Sequence, residues 1–494
     1  MKQVIKRLWV RTGLLLLAVV GTAQAKEFQV TDFGAKPDGV STNTAAIQRA
    51  IDAAANAGGG TVLFQPGTYM SGAIFVKSNV RLQLDEGVVI KAIQDDALYP
   101  ERPTRVAGIE MIWPVGLVNV YQQTNVTISG KGTIDGNGEY WWHKFWGKDG
   151  KSGMLKDYVA RGLRWAVDYD CKRVRALAVY DSRQVKIENV TVLRSGFWSV
   201  AVTYCDDVTI DGVIVKANIN GYGPSSDGID VDSSCKVLIQ NCDIDCNDDN
   251  ICLKAGRDWD GLRVNRPTEN VTIRNCITRS GHGMLTLGSE TSGGIRNVDV
   301  SGMKALGTSI GIRFKSARVR GGVIENIVLR DIVMEKIENP LHFELNWYPA
   351  YSYPTIPEGI DTSNIPSHWT VLTKRVEPAE RGIPEFRNIT ISNLTATGAK
   401  QAIHSKAYPE KPLRKLHLEN VTIEAREPGR IINAEDWTMK NVVIRTPSTE
   451  ALNLQSTHNV ELPKVIVVTT AAAQEASATG ADPYKLGLPD SPKE

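Results

Sequence analysis

Four short segments in the middle of the chain gather side chains able to move protons and hold anions. They are Ser225-Ser226-Asp227-Gly228-Ile229-Asp230, Asn247-Asp248-Asp249, Gly281-His282-Gly283 and Arg313-Phe314-Lys315. Three carboxylates, one imidazole and two cations suit the cleavage of a glycosidic bond. That reaction needs one protonated carboxyl to donate to the leaving oxygen and another, ionised, to act from the opposite side. Crowding supplies the difference, because clustered carboxylates resist ionising together and one keeps its proton near neutral pH.

Each candidate has a bland alternative. Asp230, Asp232, Asp243 and Asp245 read as turn residues, whereas Asp248 and Asp249 repel each other and nothing local demands both. Calcium is the rival occupant for the acids, but Arg313 and Lys315 argue for an anion nearby, and no metal or other cofactor is expected. His282 alone could be a core histidine; between two glycines it reads as facing a cleft where backbone approaches ligand closely. Arg313 and Lys315 are two apart, hence on one side of a strand, as a surface ion pair or as a clamp on a substrate carboxylate.

These groups must be positioned by a repeat. A β-branched, polar, aliphatic, polar pattern starts at Val185, Val208, Val237, Val271, Val298, Ile327, Ile389 and Leu416, at intervals of 23, 29, 34, 27, 29, 62 and 27 residues. Periods of this size mean stacked supersecondary units. Each unit alternates with period two between Gly, Asn, Asp or Ser punctuation, and helical patterning is scarce. The fold expected is all-β: a single-stranded, right-handed parallel β-helix, a solenoid with Val and Ile ladders inside. A β-sandwich predicts hairpin spacing of about 8–12 residues, which these intervals do not match. Stacked strands lie about 4.8 Å apart, so groups on neighbouring coils fall within one sugar unit of each other.

A solenoid needs covered ends. Thr42 or Asn43 can cap an N-terminal helix whose Ala46, Ile47, Ala50, Ile51 and Ala54 share one face and which stops at Gly58-Gly59-Gly60. Six N-x-T sequons, at Asn125, Asn189, Asn270, Asn388, Asn393 and Asn420, coincide with the strand repeat and read as coil corners, where Asn tolerates left-handed backbone. Seven Cys form no paired C-x-x-C elements, so a zinc site is improbable, and buried thiols and a disulfide stand equal.

The 494 residues are 42% hydrophobic and 23% charged, which excludes disorder, collagen and coiled coil. Lys2, Lys6, Arg7 and Arg11, the apolar run from Leu14 to Val20 and Ala23-Gln24-Ala25 make residues 1–25 a signal peptide, shorter in its apolar part than a spanning helix. Export to the periplasm or the medium follows, with no membrane anchor after cleavage. Losing those four basic residues from 57 leaves 53 against 55 acidic ones, so nucleic acid is not expected as a partner and an anionic substrate needs a local basic cluster. Residues 26–468 read as one β-helical catalytic domain, expected to act as a monomer, and 469–494 as a loosely held tail.

The ordered motifs S-S-D-G-I-D, N-D-D, S-G-H-G and I-R-F-K resemble those of the family 28 glycoside hydrolases, the polygalacturonases and their relatives. The resemblance runs from Asp32-Phe33-Gly34-Ala35 through Phe197-Trp198 and Tyr204-Cys205 to about Trp347, and the interval of 21 from Asp227 to Asp248 suits it. It implies an inverting hydrolase of α-linked galacturonic acid in pectic polysaccharide, without a metal. Asp248 then corresponds to the general acid, Asp227 and Asp249 to the pair that activates water, His282 to the support of the acid, and Arg313 and Lys315 to the holders of the uronate carboxylate. Acid and base carboxyl carbons are expected about 6.5–9.5 Å apart.

Two departures bear on the sugar accepted. Ser225-Ser226 stands where the family usually has Asn-Thr, and Ala201-Val202 where many members have His-Pro. A rhamnogalacturonan hydrolase and a non-catalytic carbohydrate-binding solenoid are the alternatives. The long interval after Ile327, with Trp347, Tyr348, Tyr351, Tyr353 and Trp369, can wall off one end of the groove and favours exo cleavage; the aromatic run from Tyr140 to Trp146 can do the same, and either can instead pack on the exterior.

Overall fold

The repeat anchors form one ladder. In the computed structural model, which describes residues 26–348 and 352–468, Val185, Val208, Val237, Val271, Val298, Ile327, Ile389 and Leu416 are successive register partners in parallel strands. Val126 extends the ladder by one coil, and every member is buried. Each sequence interval is therefore one coil. Within a coil, short strands such as Asp206–Asp211, Ile214–Lys216 and Ile229–Asp232 pair in parallel with Cys235–Gln240, Asp243–Asp245 and Asp249–Lys254 of the next. Connections this long permit parallel pairing, which tight hairpins forbid. Burying each inward Val or Ile contributes on the order of 1.5–3 kcal/mol.

The corners behave as the sequons suggested. All six sequon asparagines have φ between 52° and 61°. Asn297, Asn326 and Asn388 each donate to the Oδ1 of the asparagine one coil earlier, over 3.2, 3.2 and 3.5 Å. A second column joins Asn393 to Asp331, Asn420 to Asn393 and Asn441 to Asn420.

Helix Thr44–Asn56 buries all five expected apolar residues against the first strands. Its N-terminus differs from expectation. Asn43 occupies the cap position, but its side chain is spent on Lys36 N and Ser41 O, because the entering chain turns back there. All seven cysteines are free thiols, so the disulfide alternative falls: six are small buried residues and Cys235 is half-buried. The signal peptide, the tail and Tyr351 lie outside the described residues.

Eight parallel strands from Val118–Tyr121 to Asn339–Glu344 floor a groove. Alternation sends Ile251, Leu253, Leu285, Leu287, Ile312 and Phe314 inward. It leaves Ala201, Asp230, Cys252, Thr286, Arg313 and His342 as successive partners in one row on the other face.

Candidate active site

All six residues singled out above converge on this face. Asp227 and Asp248-Asp249 sit where neighbouring coils enter the groove sheet, and Gly228 N donates to Asp249 O over 3.0 Å. Asp227, Asp248 and Asp249 each place a carboxylate oxygen within 4.8 Å of the others. His282 lies on the next coil, its Nδ1 3.6 Å from Asp248 Oδ1 and its N–H donating to Asp248 O.

Asp249 is fully buried and saturated. Thr286 Oγ1 and Arg313 Nη1 donate to its Oδ1 over 2.7 and 3.0 Å, and Lys315 Nζ donates to Oδ2 over 2.7 Å. Burial pushes this carboxyl up, but Lys315 and Arg313 outweigh burial and hold it far below the usual carboxylate range. Arg313 and Lys315 are thus neither an exposed pair nor free: Phe314 between them is core, and both cations are spent first on Asp249. The same occupancy bears on calcium, since both oxygens of Asp249 already accept from protein donors.

The other two carboxyls split apart. Asp248, with a side chain 30% exposed, is also pushed up by burial, yet the bond and charge of His282 bring it below its ordinary value. Asp227 moves the other way: burial first, then the charges of Asp230 and Asp248, raise it well above the carboxylate range, with Lys254 opposing.

The glycines flanking His282 have a steric reason. A Cβ at Gly283 would stand 2.2 Å from Thr286 Oγ1 and 2.6 Å from Asp249 Oδ1, and one at Gly281, where φ is 106°, would stand 2.4 Å from Asp248 O. Any side chain there would displace the acids.

One reading is corrected. Asp230 is no turn filler: it lies in the strand row facing the groove, 1% exposed, with Lys254 Nζ 3.4 Å from its Oδ1. Asp232 is likewise a buried strand residue, paired with Arg105 at 2.9 Å, while Asp243 pairs with Arg279 on the outer surface, away from the acids. Lys254, Glu290 and Thr286 were missed. Strand alternation was the available signal, because Lys254 falls on the same face as Cys252 in a strand whose Ile251 and Leu253 point inward.

Long insertions cover the groove on the side of the earlier coils. Hairpin Glu101–Val106 with Ile109–Pro114 reaches across so that Gly108 O accepts from Arg257 N over 2.8 Å and Ala107 O from Tyr169 Oη over 2.9 Å. Helix Ser367–Thr373 meets the segment between the first two groove strands: Trp369 Nε1 donates to Asp170 Oδ2 over 2.9 Å and its ring lies 5.3 Å from that of Trp165. Trp113, Phe197, Trp198, Trp369 and their neighbours form one apolar cluster that buries Ala201. Ala201 thus has a packing reason to be small, and Val202 is core. The run from Tyr140 to Trp146 instead packs inward, with Trp141 and Trp142 fully buried in helix Glu139–Trp146.

A parallel β-helix whose groove gathers three carboxylates, an imidazole and cations on adjacent coils defines a polysaccharide-cleaving glycosidase. Comparison places it further: the sequence matches glycosyl hydrolases family 28 over residues 114–371, and the chain belongs to that family. Residues 28–94 match the group described as rhamnogalacturonase A/epimerase, pectate lyase-like. A probable polygalacturonase of Vitis vinifera is 30% identical over 79% of each chain. An exo-poly-alpha-D-galacturonosidase of Dickeya chrysanthemi is 28% identical over 64% of this chain and 56% of its own length. The exopolygalacturonase structure from Thermotoga maritima superposes with a TM-score of 0.69 at 28% identity, over 81% of this chain and 87% of that one. The architecture is the parallel β-helix expected from the repeat, as the structural likeness also shows.

Proposed function

We propose that this glycosidase is an exported, monomeric, exo-acting polygalacturonase that cleaves α-linked galacturonic acid from pectic polysaccharide with inversion. The observation that carries the reading is the meeting of Asp227, Asp248 and Asp249 within 4.8 Å beside Arg313 and Lys315. Nearest oxygens at that distance leave carboxyl carbons up to roughly 7 Å apart, overlapping the range that admits a water between acid and base.

In this reading Asp248, the most accessible of the three, protonates the leaving oxygen, and Asp249 with Asp227 activates the water. His282 relays and holds the proton of Asp248. A uronate arriving beside Asp248 adds negative charge and expels water, both of which push its carboxyl up from the low value of the sugar-free protein. Arg313 and Lys315 share their charge between Asp249 and the uronate. The aromatic cover over Ala201 supports exo action, because it ends the groove one coil before Asp227.

The raised carboxyl of Asp227 favours a second reading, in which Asp227 is the donor and Asp248 the base. Chemistry separates the two. Loss of the acid spares substrates with good leaving groups, whereas loss of a base is rescued by azide, which gives an inverted glycosyl azide. Asp248→Asn should retain cleavage of an aryl galacturonide and ignore azide; azide rescue of that variant would transfer the acid role to Asp227. Product length and anomeric configuration from oligogalacturonides test the exo and inverting parts.

A further inference from the structure

Asp249 commands two cations, while Asp227 has a share in one. Lys254 ends strand Asp249–Lys254 with its Nζ 3.6 Å from Asp227 Oδ2, 3.4 Å from Asp230 Oδ1 and 3.6 Å from Glu290 Oε2. All four residues are at most 8% exposed. The face of Trp198 closes over the ammonium at 5.0 Å, and the Arg175 guanidinium lies over the same ring at 5.1 Å. The hairpin tip shuts the far side: a Cβ at Gly108 would lie 2.7 Å from Glu290 Cγ.

One cation facing three buried carboxylates is a costly arrangement that the coil does not need. Asp230 lies closest to the ammonium, and apart from Lys254 neither of its oxygens has a hydrogen-bond partner among the described residues. Cys252 faces Asp230 from the next coil in register; Asp248, Asp249 with its two cations, and the buried Arg173 are the other charged groups acting on Asp227, and the buried Arg175 acts on Asp230.

We propose that Lys254 is the counter-ion of the Asp227 base, a positioning residue whose charge Asp230 competes for, so that Lys254 and Asp230 act on Asp227 in opposite senses. The proposal rests on Asp227 serving as a base. Lys254 favours the ionised form of Asp227, which a base requires. Asp230, 3.4 Å from the ammonium against 3.6 Å for Asp227, draws it away and, when ionised, adds its own repulsion, while burial pushes its own carboxyl up to about 7. Glu290, kept ionised by Lys254 and Arg320 against its burial, anchors the ammonium from the third side.

The test is the pH profile of kcat on trigalacturonate for Lys254→Met, Lys254→Arg and Asp230→Asn, with thermal unfolding measured in parallel. Lys254→Met should move the acid limb up by about one pH unit, a loss of about tenfold at a pH below the limb, with KM changed less than twofold. Lys254→Arg should restore most of it. Asp230→Asn should move the limb down. A raised KM with an unmoved limb would make Lys254 a substrate-binding residue. Lowered melting with unmoved limbs would make it structural. Shifts of the same sign in both variants would also overturn the competition. Asp227→Asn reports separately on the underlying reading: if it keeps turnover, Asp227 is no base, and the fault lies there and not with Lys254.

Discussion

The outer corner of the solenoid and its groove face are built from the same coils and obey opposite rules. At the corner, Asn270, Asn297, Asn326 and Asn388 repeat one side chain, one left-handed φ and one hydrogen bond per coil. On the groove row, Ala201, Asp230, Cys252, Thr286, Arg313 and His342 follow one another with no two neighbours alike. Repetition resumes past the acids, where the rings of His342 and His404 stack at 4.4 Å. A polar residue that repeats is there for the backbone of every coil. A buried polar residue that occurs once answers to something outside the repeat, and burying it costs stability that the fold alone does not return.

The largest effects should fall on the unrepeated residues and should be effects on turnover. Asp248→Asn removes a partly exposed acid and leaves every ladder intact, so kcat on polygalacturonate should drop by about 10²–10⁴-fold while melting and polymer binding stay as they were. Turnover within tenfold of the parent would break the contrast at its strongest point. The inner ladder should give the mirror image. Ile389→Ala leaves a cavity in the inner ladder, in a different row of strands from the acids, and should cost about 2–5 kcal/mol of stability in urea unfolding, with kcat/KM of the folded protein unchanged.

This contrast also explains what could be read in the chain before any coordinates. The ladder was legible because Val and Ile recur at coil spacing, and each anchor from Val185 to Leu416 stacks in register on the one before. The acids were legible as motifs. Asp230 and Lys254 were not, for a physical reason: a lone charged residue in a strand announces its face only once the inward residues beside it are known. The span of Arg313 and Lys315 was read correctly as one-sided, but their joint hold on Asp249 depends on Asp249 lying two coils earlier, a distance no local pattern carries. The groove cover was equally hidden, because Asp170 and Trp369 are joined across 199 residues.

Asp230 sits between the two regimes, as a groove residue whose removal should stabilise. Its folded carboxyl titrates near 7, above the ordinary value of about 3.9, so folding favours its protonated form. The penalty is therefore full above pH 7 and gone below about 4. Asp230→Asn, which mimics the protonated state, should be more stable than the parent by about 4 kcal/mol at pH 8, the gain fading through the window between those values and absent at pH 3.5. A gain that grows towards acid would have the wrong sign for this origin.

The smallest effect belongs to the repeated corner. Asn297 is exposed; it donates to Asn270 and accepts from Asn326, both over 3.2 Å, at φ 56°. Asn297→Ala loses both bonds and strains the backbone, and should cost about 1 kcal/mol. Asn297→Gly loses the same bonds without the strain, so it should cost only a few tenths. Equal losses would assign the ladder's value to its hydrogen bonds; the larger loss in alanine assigns it to left-handed backbone, which is why Gly212 and Gly302 serve at corners where asparagine is missing.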